Sequence, residues 1–335
     1  MSRIAVMGSG AWGTAIALSL AGRGGHDLTL WSHSPEVSET IAERGENVAF
    51  LPGLSIPKSI RATSSIEEAL REAEIVASVM PSHHVRASYE QFAPFLHAGQ
   101  MLVSATKGIE DETLLRMSEV ITGVLGKCGL VLPVGVLSGP SFAQEVAAGS
   151  PTAITIASQD AELAANVQRE FGSQSLRLYR NDDVVGVELG GALKNVIAIA
   201  AGMVAGLKLG HNSAAGLITR GIAETTRLAV ACGGRSETLA GLSGIGDLVL
   251  TCTGSLSRNR TVGIELGKGH RLAEILAGLH GKVAEGVRTT SAALGLARRH
   301  NVEMPITEQV AAILSEERSP LEAIRELMSR PGRGE

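Results

Sequence analysis

Residues 3–23 constrain the rest of the chain more than any other segment. Arg3 to Met7 forms a compact apolar strand that runs directly into Gly8-Ser9-Gly10-Ala11-Trp12-Gly13. That turn opens a helix of small residues, Ala11 to Arg23. A strand, a G-x-G-x-x-G turn and a helix in this order point to a βαβ unit, whose helix crosses over to a parallel strand. Gly8 suits the tight turn, Gly10 lets a pyrophosphate approach the backbone, and Gly13 lets the helix pack closely on the strand. The free N–H groups and positive end of the helix favour phosphates. The alternative is a glycine turn in a sheet protein that holds no dinucleotide.

The alternation continues through the first half. Buried-type strands are predicted at Asp27 to Trp31, Glu74 to Met80, Met101 to Ala105, Val134 to Leu137 and Ala153 to Ala157. Helical patterns fall at Glu36 to Arg44, Glu67 to Glu72 and His83 to Leu96, and Leu51 to Lys58 reads as a loop. Such alternation implies right-handed crossovers and a mostly parallel sheet. After about Asn181 the strand signal fades. Helices are predicted at Val184 to Gly206, Ser213 to Ala231, Arg258 to Lys268, Leu272 to Leu279, Thr289 to His300, Ile306 to Ser315 and Pro320 to Met328. Composition breaks at the same place: no Phe, Tyr or Trp follows Tyr179, yet more than half of the 40 glycines do. The chain therefore reads as α/β, with an N-terminal Rossmann-type, mostly parallel sheet domain over residues 1–180. An all-helical substrate and catalytic domain is expected over residues 181–335.

The net charge of −4, without a long run of either sign, argues against a mainly electrostatic nucleic-acid partner. Cys128, Cys232 and Cys252 are scattered and odd in number, which fits reduced thiols rather than a disulfide framework or a zinc site. No metal is expected. Val196 to Leu207, the longest apolar stretch, is shorter than the ~18–20 residues of a membrane span. The amino terminus carries no signal-peptide pattern, and a cytoplasmic protein is expected.

Several segments carry candidate chemistry. The second strand ends in Trp31-Ser32-His33, with no acid to repel a ribose 2′-phosphate. NADP is thereby permitted, with Ser32 and His33 expected near the ribose. Lys107 in Ala105-Thr106-Lys107-Gly108 and the turn Ser138-Gly139-Pro140-Ser141 follow strands, at the edge where α/β ligands bind. Each is equally a plain turn. Lys194 lies on a largely apolar helix, in a chain with only seven lysines. Desolvation there suits it to proton transfer; the alternative is a lysine that carries its ammonium to solvent. Asp247 follows a glycine turn, where it either orients such a lysine or caps a helix. Ser257-Arg258-Asn259-Arg260 opens a helix and suits a small phosphate, or else Ser257 is an ordinary cap between solvated arginines.

Taken together and in order, these segments resemble bacterial NAD(P)-dependent glycerol-3-phosphate dehydrogenases. The resemblance rests on the Gly8–Gly13 turn, Leu30-Trp31-Ser32-His33, Phe50-Leu51-Pro52, Val79-Met80-Pro81-Ser82-His83 and Ala105-Thr106-Lys107-Gly108. It continues through Leu137-Ser138-Gly139-Pro140-Ser141-Phe142-Ala143, Leu189-Gly190-Gly191-Ala192-Leu193-Lys194-Asn195-Val196, Gly244-Ile245-Gly246-Asp247-Leu248-Val249-Leu250-Thr251-Cys252-Thr253 and Ser257-Arg258-Asn259-Arg260. Glu285-Gly286-Val287 and Met304-Pro305-Ile306-Thr307-Glu308 close the series.

The resemblance implies reversible reduction of dihydroxyacetone phosphate to sn-glycerol 3-phosphate, the phospholipid backbone precursor. NADP or NAD is the implied cofactor, with NADPH preferred in reduction. It implies that Gly8, Ser9, Gly10, Ala11, Trp12, Gly13, His33, Lys107, Ala143, Arg258, Val283 and Glu285 form the dinucleotide site. Lys107, Gly139, Ser141, Lys194, Asp247, Ser257, Arg258 and Asn259 would contact substrate. Lys194 would be the catalytic acid–base and Asp247 would hold it. A homodimer is compatible with the same resemblance. A 6-phosphogluconate or 3-hydroxyacyl dehydrogenase-like enzyme would differ around Lys194 and Arg258, and a non-catalytic dinucleotide sensor would not need that set.

Overall fold

The computed structural model describes residues 2–279 and 283–332. Its chain divides into two compact units: Met1–Lys107 with Leu115–Glu188, and Gly108–Leu114 with Leu189–Glu335.

The first unit is built on a sheet of eight strands: β1 (Ser2–Met7), β2 (His26–Trp31), β5 (Ile60–Thr63), β6 (Ile75–Ser78), β7 (Met101–Ser104), β8 (Val134–Ser138), β9 (Thr152–Ala157) and β10 (Leu176–Asn181). They run in the order β10-β9-β8-β7-β6-β1-β2-β5. All neighbours pair in parallel except β8 with β9, as the mostly parallel reading requires. Alternate residues of β1 feed opposite faces. Ile4 and Val6 join one core with Ile16 and Leu20 of α1 (Ala11–Arg23). Ala5 and Met7 join another with Tyr89 and Phe92 of α4 (Val85–Phe92) and Val120 of α5 (Met117–Lys127). Because both faces are covered, the central strands read as continuous apolar runs.

Several features differ from the sequence expectation. Leu51 to Ser55 is not a loop but β4, which pairs antiparallel with β3 (Glu46–Asn47). Pro52 and Gly53 disguise it, and both are exposed on a short two-stranded hairpin. The pattern also misses β5 and β10. β10 reads Leu-Arg-Leu-Tyr-Arg-Asn and buries one side only, because it lies at the sheet edge.

The second unit is helical. Helix α8 (Val184–Gly206) begins in the first unit and continues into the second. Its 23 residues include an 18-residue window of mean hydropathy 1.6, so the whole helix is apolar enough to cross a membrane by length and composition. The uninterrupted run Val196 to Leu207 understates this. However, 89% of that window is buried inside the protein, as in a core helix. The other main helices are α9 (His211–Ala231), α11 (Asp247–Thr253), α12 (Arg258–Gly267), α14 (Glu285–His300), α15 (Pro305–Leu314) and α16 (Pro320–Ser329).

With no aromatic ring to fill this core, α8 and α12 approach through glycines. A Cβ on Gly202 would meet Arg260 O at 2.1 Å, and one on Gly263 would meet Ile199 O at 1.9 Å. Gly206 and Gly267 repeat the contact one turn further along. This close packing sets the helix bearing Lys194 against the helix opened by Ser257.

Candidate active site

In the first unit the three motif glycines differ in what surrounds them. A Cβ on Gly8 would sit 2.0 Å from Val79 O, and Gly8 has φ +134°. A Cβ on Gly13 would sit 1.8 Å from Gly8 O. These two positions are closed by the protein's own backbone. Gly10 has nothing within 4 Å in that direction. It also starts α1 with no side-chain cap, which leaves the first N–H groups of the helix without a capping side chain. Such a cradle fits a pyrophosphate.

The turn is tied down from behind. Ser9 Oγ donates to Ser32 Oγ at 2.8 Å, and Ser32 is buried. Its hydroxyl therefore serves the turn rather than facing outward, while His33 is exposed at the end of β2. Asn47, buried at the start of the hairpin, donates to Ser9 O at 2.7 Å and to Thr14 Oγ1 at 2.8 Å. Ala11 and Trp12 pack with Ala143 and Val146 of α6 (Ala143–Ala147). The fold thus brings Ala143 to the motif helix across more than a hundred residues of chain.

At the carboxyl edge of the sheet, Lys107 follows β7 and Gly139 follows β8. Lys107 Nζ and Ser141 Oγ both donate to Gly139 O, each at 3.0 Å. Gly139 has φ +136°, and a Cβ there would press on Ile154 Cα at 3.0 Å. These three residues form one constellation.

In the second unit Lys194 is only 8% exposed and Asp247 is fully buried. Lys194 Nζ donates to Asp247 Oδ1 at 2.5 Å and to Thr251 Oγ1 at 2.8 Å. Thr251 is one turn beyond Asp247 on α11, and its hydroxyl hydrogen goes to Asp247 O at 2.6 Å. That leaves its lone pairs for the ammonium. The snorkelling alternative for Lys194 is thereby excluded. The helix-cap alternative for Asp247 also fails, because a π turn, Leu242–Gly246, leads into α11 with Gly246 already helical. Gly190 makes the approach feasible: a Cβ there would meet Ser243 O at 2.5 Å. Burial pushes the nearby Cys252 thiol up to about 12, against the opposing pull of Lys194 and Arg260.

Ser257 caps α12, accepting from Arg260 N at 3.2 Å. Asn259 is buried and bridges two partners: its Nδ2 donates to Asn195 Oδ1 at 3.0 Å, and its Oδ1 accepts from Gly286 N at 2.9 Å. Arg258 is exposed. Partial loss of hydration lowers its pKa, and the Glu285 carboxylate pulls it back up. Val283 lies just before α14, which Glu285 opens.

The model for the N-terminus of NAD-dependent glycerol-3-phosphate dehydrogenase matches residues 3–164, and the model for its C-terminus matches residues 183–325. The chain belongs to the NAD-dependent glycerol-3-phosphate dehydrogenase family. It is 67% identical over 338 residues to a glycerol-3-phosphate dehydrogenase [NAD(P)+] of Acidobacterium capsulatum, covering 100% of both chains. It is 62% identical over 331 residues to one from Koribacter versatilis, covering 99% of this chain and 98% of the other. A crystal structure of the Coxiella burnetii glycerol-3-phosphate dehydrogenase superposes with a TM-score of 0.93 at 39% identity, over 98% of this chain and 99% of that one.

Members of the glycerol-3-phosphate dehydrogenase family are NAD(P)-dependent oxidoreductases acting on small molecules. Against that background, the sequence reading missed Thr251, Asn195 and Asn47. Thr251 carried a usable signal, since a hydroxyl four residues after an acid shares its helix face. Asn195 adjoins Lys194, but its partner is 64 residues away. Asn47 precedes a segment expected to be loop and had no signal of its own.

Proposed function

We propose that this chain reduces dihydroxyacetone phosphate reversibly to sn-glycerol 3-phosphate, using NADPH or NADH. The observation that carries the reading is the buried Lys194 ammonium, held by both Asp247 and Thr251. When bound, a reduced nicotinamide would supply hydride to C2 of the substrate. Negative charge then develops on the C2 oxygen. Lys194 Nζ stabilises that charge and donates the proton; in the reverse direction it accepts one. Asp247 aims the amine, and Thr251 fixes its position from the same helix face. Held this way, the ammonium needs little reorganisation as the charge forms.

Substrate phosphate falls, in this reading, to Ser257, Arg258 and the second amide N–H of Asn259. Lys107, Gly139 and Ser141 are further substrate contacts that the family resemblance implies. Binding energy from the phosphate positions the carbonyl, so these groups support turnover without touching the reacting bond. Gly8, Ser9, Gly10, Ala11, Trp12 and Gly13 would hold the pyrophosphate, with His33, Ala143, Val283 and Glu285 along the rest of the dinucleotide. The absence of an acid after β2 supports use of NADPH, and the exposed His33 would meet a 2′-phosphate. The proposed setting is the bacterial cytoplasm, supplying the phospholipid backbone; a homodimer is the assembly to look for by light scattering.

The test is oxidation of NADPH, followed by loss of reduced-nicotinamide absorbance, with dihydroxyacetone phosphate against a panel of phosphorylated ketones and 3-ketoacyl substrates. Turnover of dihydroxyacetone phosphate well above the others is expected. Preference for another substrate would move the chain to a different dehydrogenase activity. NADPH binding with no turnover of any substrate would make it a sensor.

A further inference from the structure

The hairpin of β3 and β4 holds none of the cofactor or substrate contacts named above, yet its first buried side chain reaches the glycine turn. Asn47 is 1% exposed, and both ends of its amide are hydrogen-bonded. Its Oδ1 accepts from Phe50 N at 3.2 Å, which fixes which end of the amide is which. Its two N–H groups go to Ser9 O at 2.7 Å and Thr14 Oγ1 at 2.8 Å. Thr14 Oγ1 completes the ring by donating to Ser9 O at 3.2 Å. Ser9 O is therefore held inward by two donors.

That contact has a consequence across the peptide plane. In a trans peptide the C=O of one residue and the N–H of the next point in opposite directions. Holding Ser9 O inward turns the Gly10 N–H outward, and Gly10 is the motif glycine whose surroundings are open. The Gly10 amide is thus aimed by a side chain that holds Ser9 O from 38 residues away in the sequence. Thr14 stands on α1 and is fully buried, so the same ring fixes the first turn of the helix to the hairpin.

We propose that Asn47 is a positioning residue for the dinucleotide, aiming the Gly10 N–H at its pyrophosphate through Ser9 O and Thr14. The proposal rests on the dinucleotide site described under Proposed function, and its effect is on cofactor affinity rather than on the chemistry at Lys194. Asn47→Leu is the informative variant: it keeps the volume and adds no charge near a phosphate. Losing hydrogen bonds that orient one peptide should weaken cofactor binding by about tenfold. Binding of NADPH is read by titration of its own fluorescence, and turnover by steady-state kinetics at saturating NADPH.

The expected result is a dissociation constant for NADPH raised about tenfold, with kcat and the KM for dihydroxyacetone phosphate within about threefold of the parent. A lower melting temperature with unchanged NADPH affinity would overturn the proposal and leave Asn47 a structural residue. An equal loss in kcat at saturating cofactor would overturn it too. If Asn47→Leu does not fold, Thr14→Val breaks the same ring from the other side. It should weaken NADPH binding by threefold or more, and unchanged affinity there would overturn the proposal. If the parent binds NADPH but turns over no substrate while either variant binds it less tightly, the positioning role stands and the dehydrogenase reading falls.

Discussion

Lys194 on α8 and Asp247 on α11 meet at 2.5 Å across 53 residues of chain, with the carboxylate fully buried. Two charges buried this deeply depend on each other. Removing one partner of a buried pair costs about 3–5 kcal/mol, because the other is left uncompensated, whereas replacing both by apolar groups is often neutral. Lys194→Met alone should therefore lower stability by about that amount. The double variant Lys194→Met, Asp247→Leu should recover most of it. Activity should not recover: kcat should remain down by roughly a hundredfold or more in both, since no proton donor is left. Denaturant midpoints and kcat measured on the three proteins separate the two effects. Recovered activity in the double variant would remove Lys194 from the chemistry.

The pair also shows where sequence reading stops. Lys194 on an apolar helix has two outcomes, snorkelling or burial, and spacing does not choose between them. Asp247 after Gly246 has two as well, cap or ligand. The choice is made by packing, chiefly by Gly190 against Ser243 O, which lets α8 reach the turn before α11. By contrast, the motif turn with its strand and helix was legible because it is contiguous: the three glycines fall within six residues, although the crowding that demands Gly8 comes from Val79 O far along the chain. Asn47 was not legible, because it acts on Ser9 through a tertiary hydrogen bond. The edge strand β10 was hidden for a different reason. Its alternating exposed arginines mask an apolar face that only the sheet order reveals.

Arg258 is the exposed member of the proposed phosphate group, beside Glu285. Its loss should be felt in binding rather than in the chemical step. Charge-assisted hydrogen bonds are about twice as strong as neutral ones, so Arg258→Ala should raise the KM for dihydroxyacetone phosphate by about tenfold or more. Arg258→Lys should recover only part of this, since an ammonium lacks the planar fork of donors. Steady-state kinetics at fixed NADPH gives the answer, and an unchanged KM would take Arg258 out of substrate binding.

The three cysteines differ in surroundings, which sets an order of reactivity. Cys128 is exposed, Cys232 intermediate and Cys252 buried. With the Cys252 thiol pushed up to about 12, on the order of 10⁻⁵ of it is thiolate at neutral pH. Iodoacetamide followed by mass spectrometry should label Cys128 first and Cys252 only in denaturant. Early labelling of Cys252 would mean that the core around Lys194 opens far more readily than its packing indicates.

His26 provides a pH dependence whose sign can be worked out. The ring opens β2 and lies between Arg23 at the end of α1 and Glu170 of the helix Ala161–Phe171. Burial lowers its pKa from 6.5, and Arg23 lowers it further; the Glu170 carboxylate and carbonyl act the other way without reversing it, and the amino-terminal charge adds to the lowering. Above pH 6.5 the ring is neutral in both folded and unfolded chains, so its contribution is intact. As the pH falls below that value the unfolded chain takes up the proton first. Stability is then lost, by at most about 1.4 kcal/mol per pH unit, until the folded pKa is reached. His26→Gln removes the titration while keeping an amide between Arg23 and Glu170. Melting temperatures taken at about pH 7.5 and about pH 5.5 should fall further in the parent than in the variant. Equal falls in the two proteins would show that His26 takes its proton as easily in the folded chain as in the unfolded one.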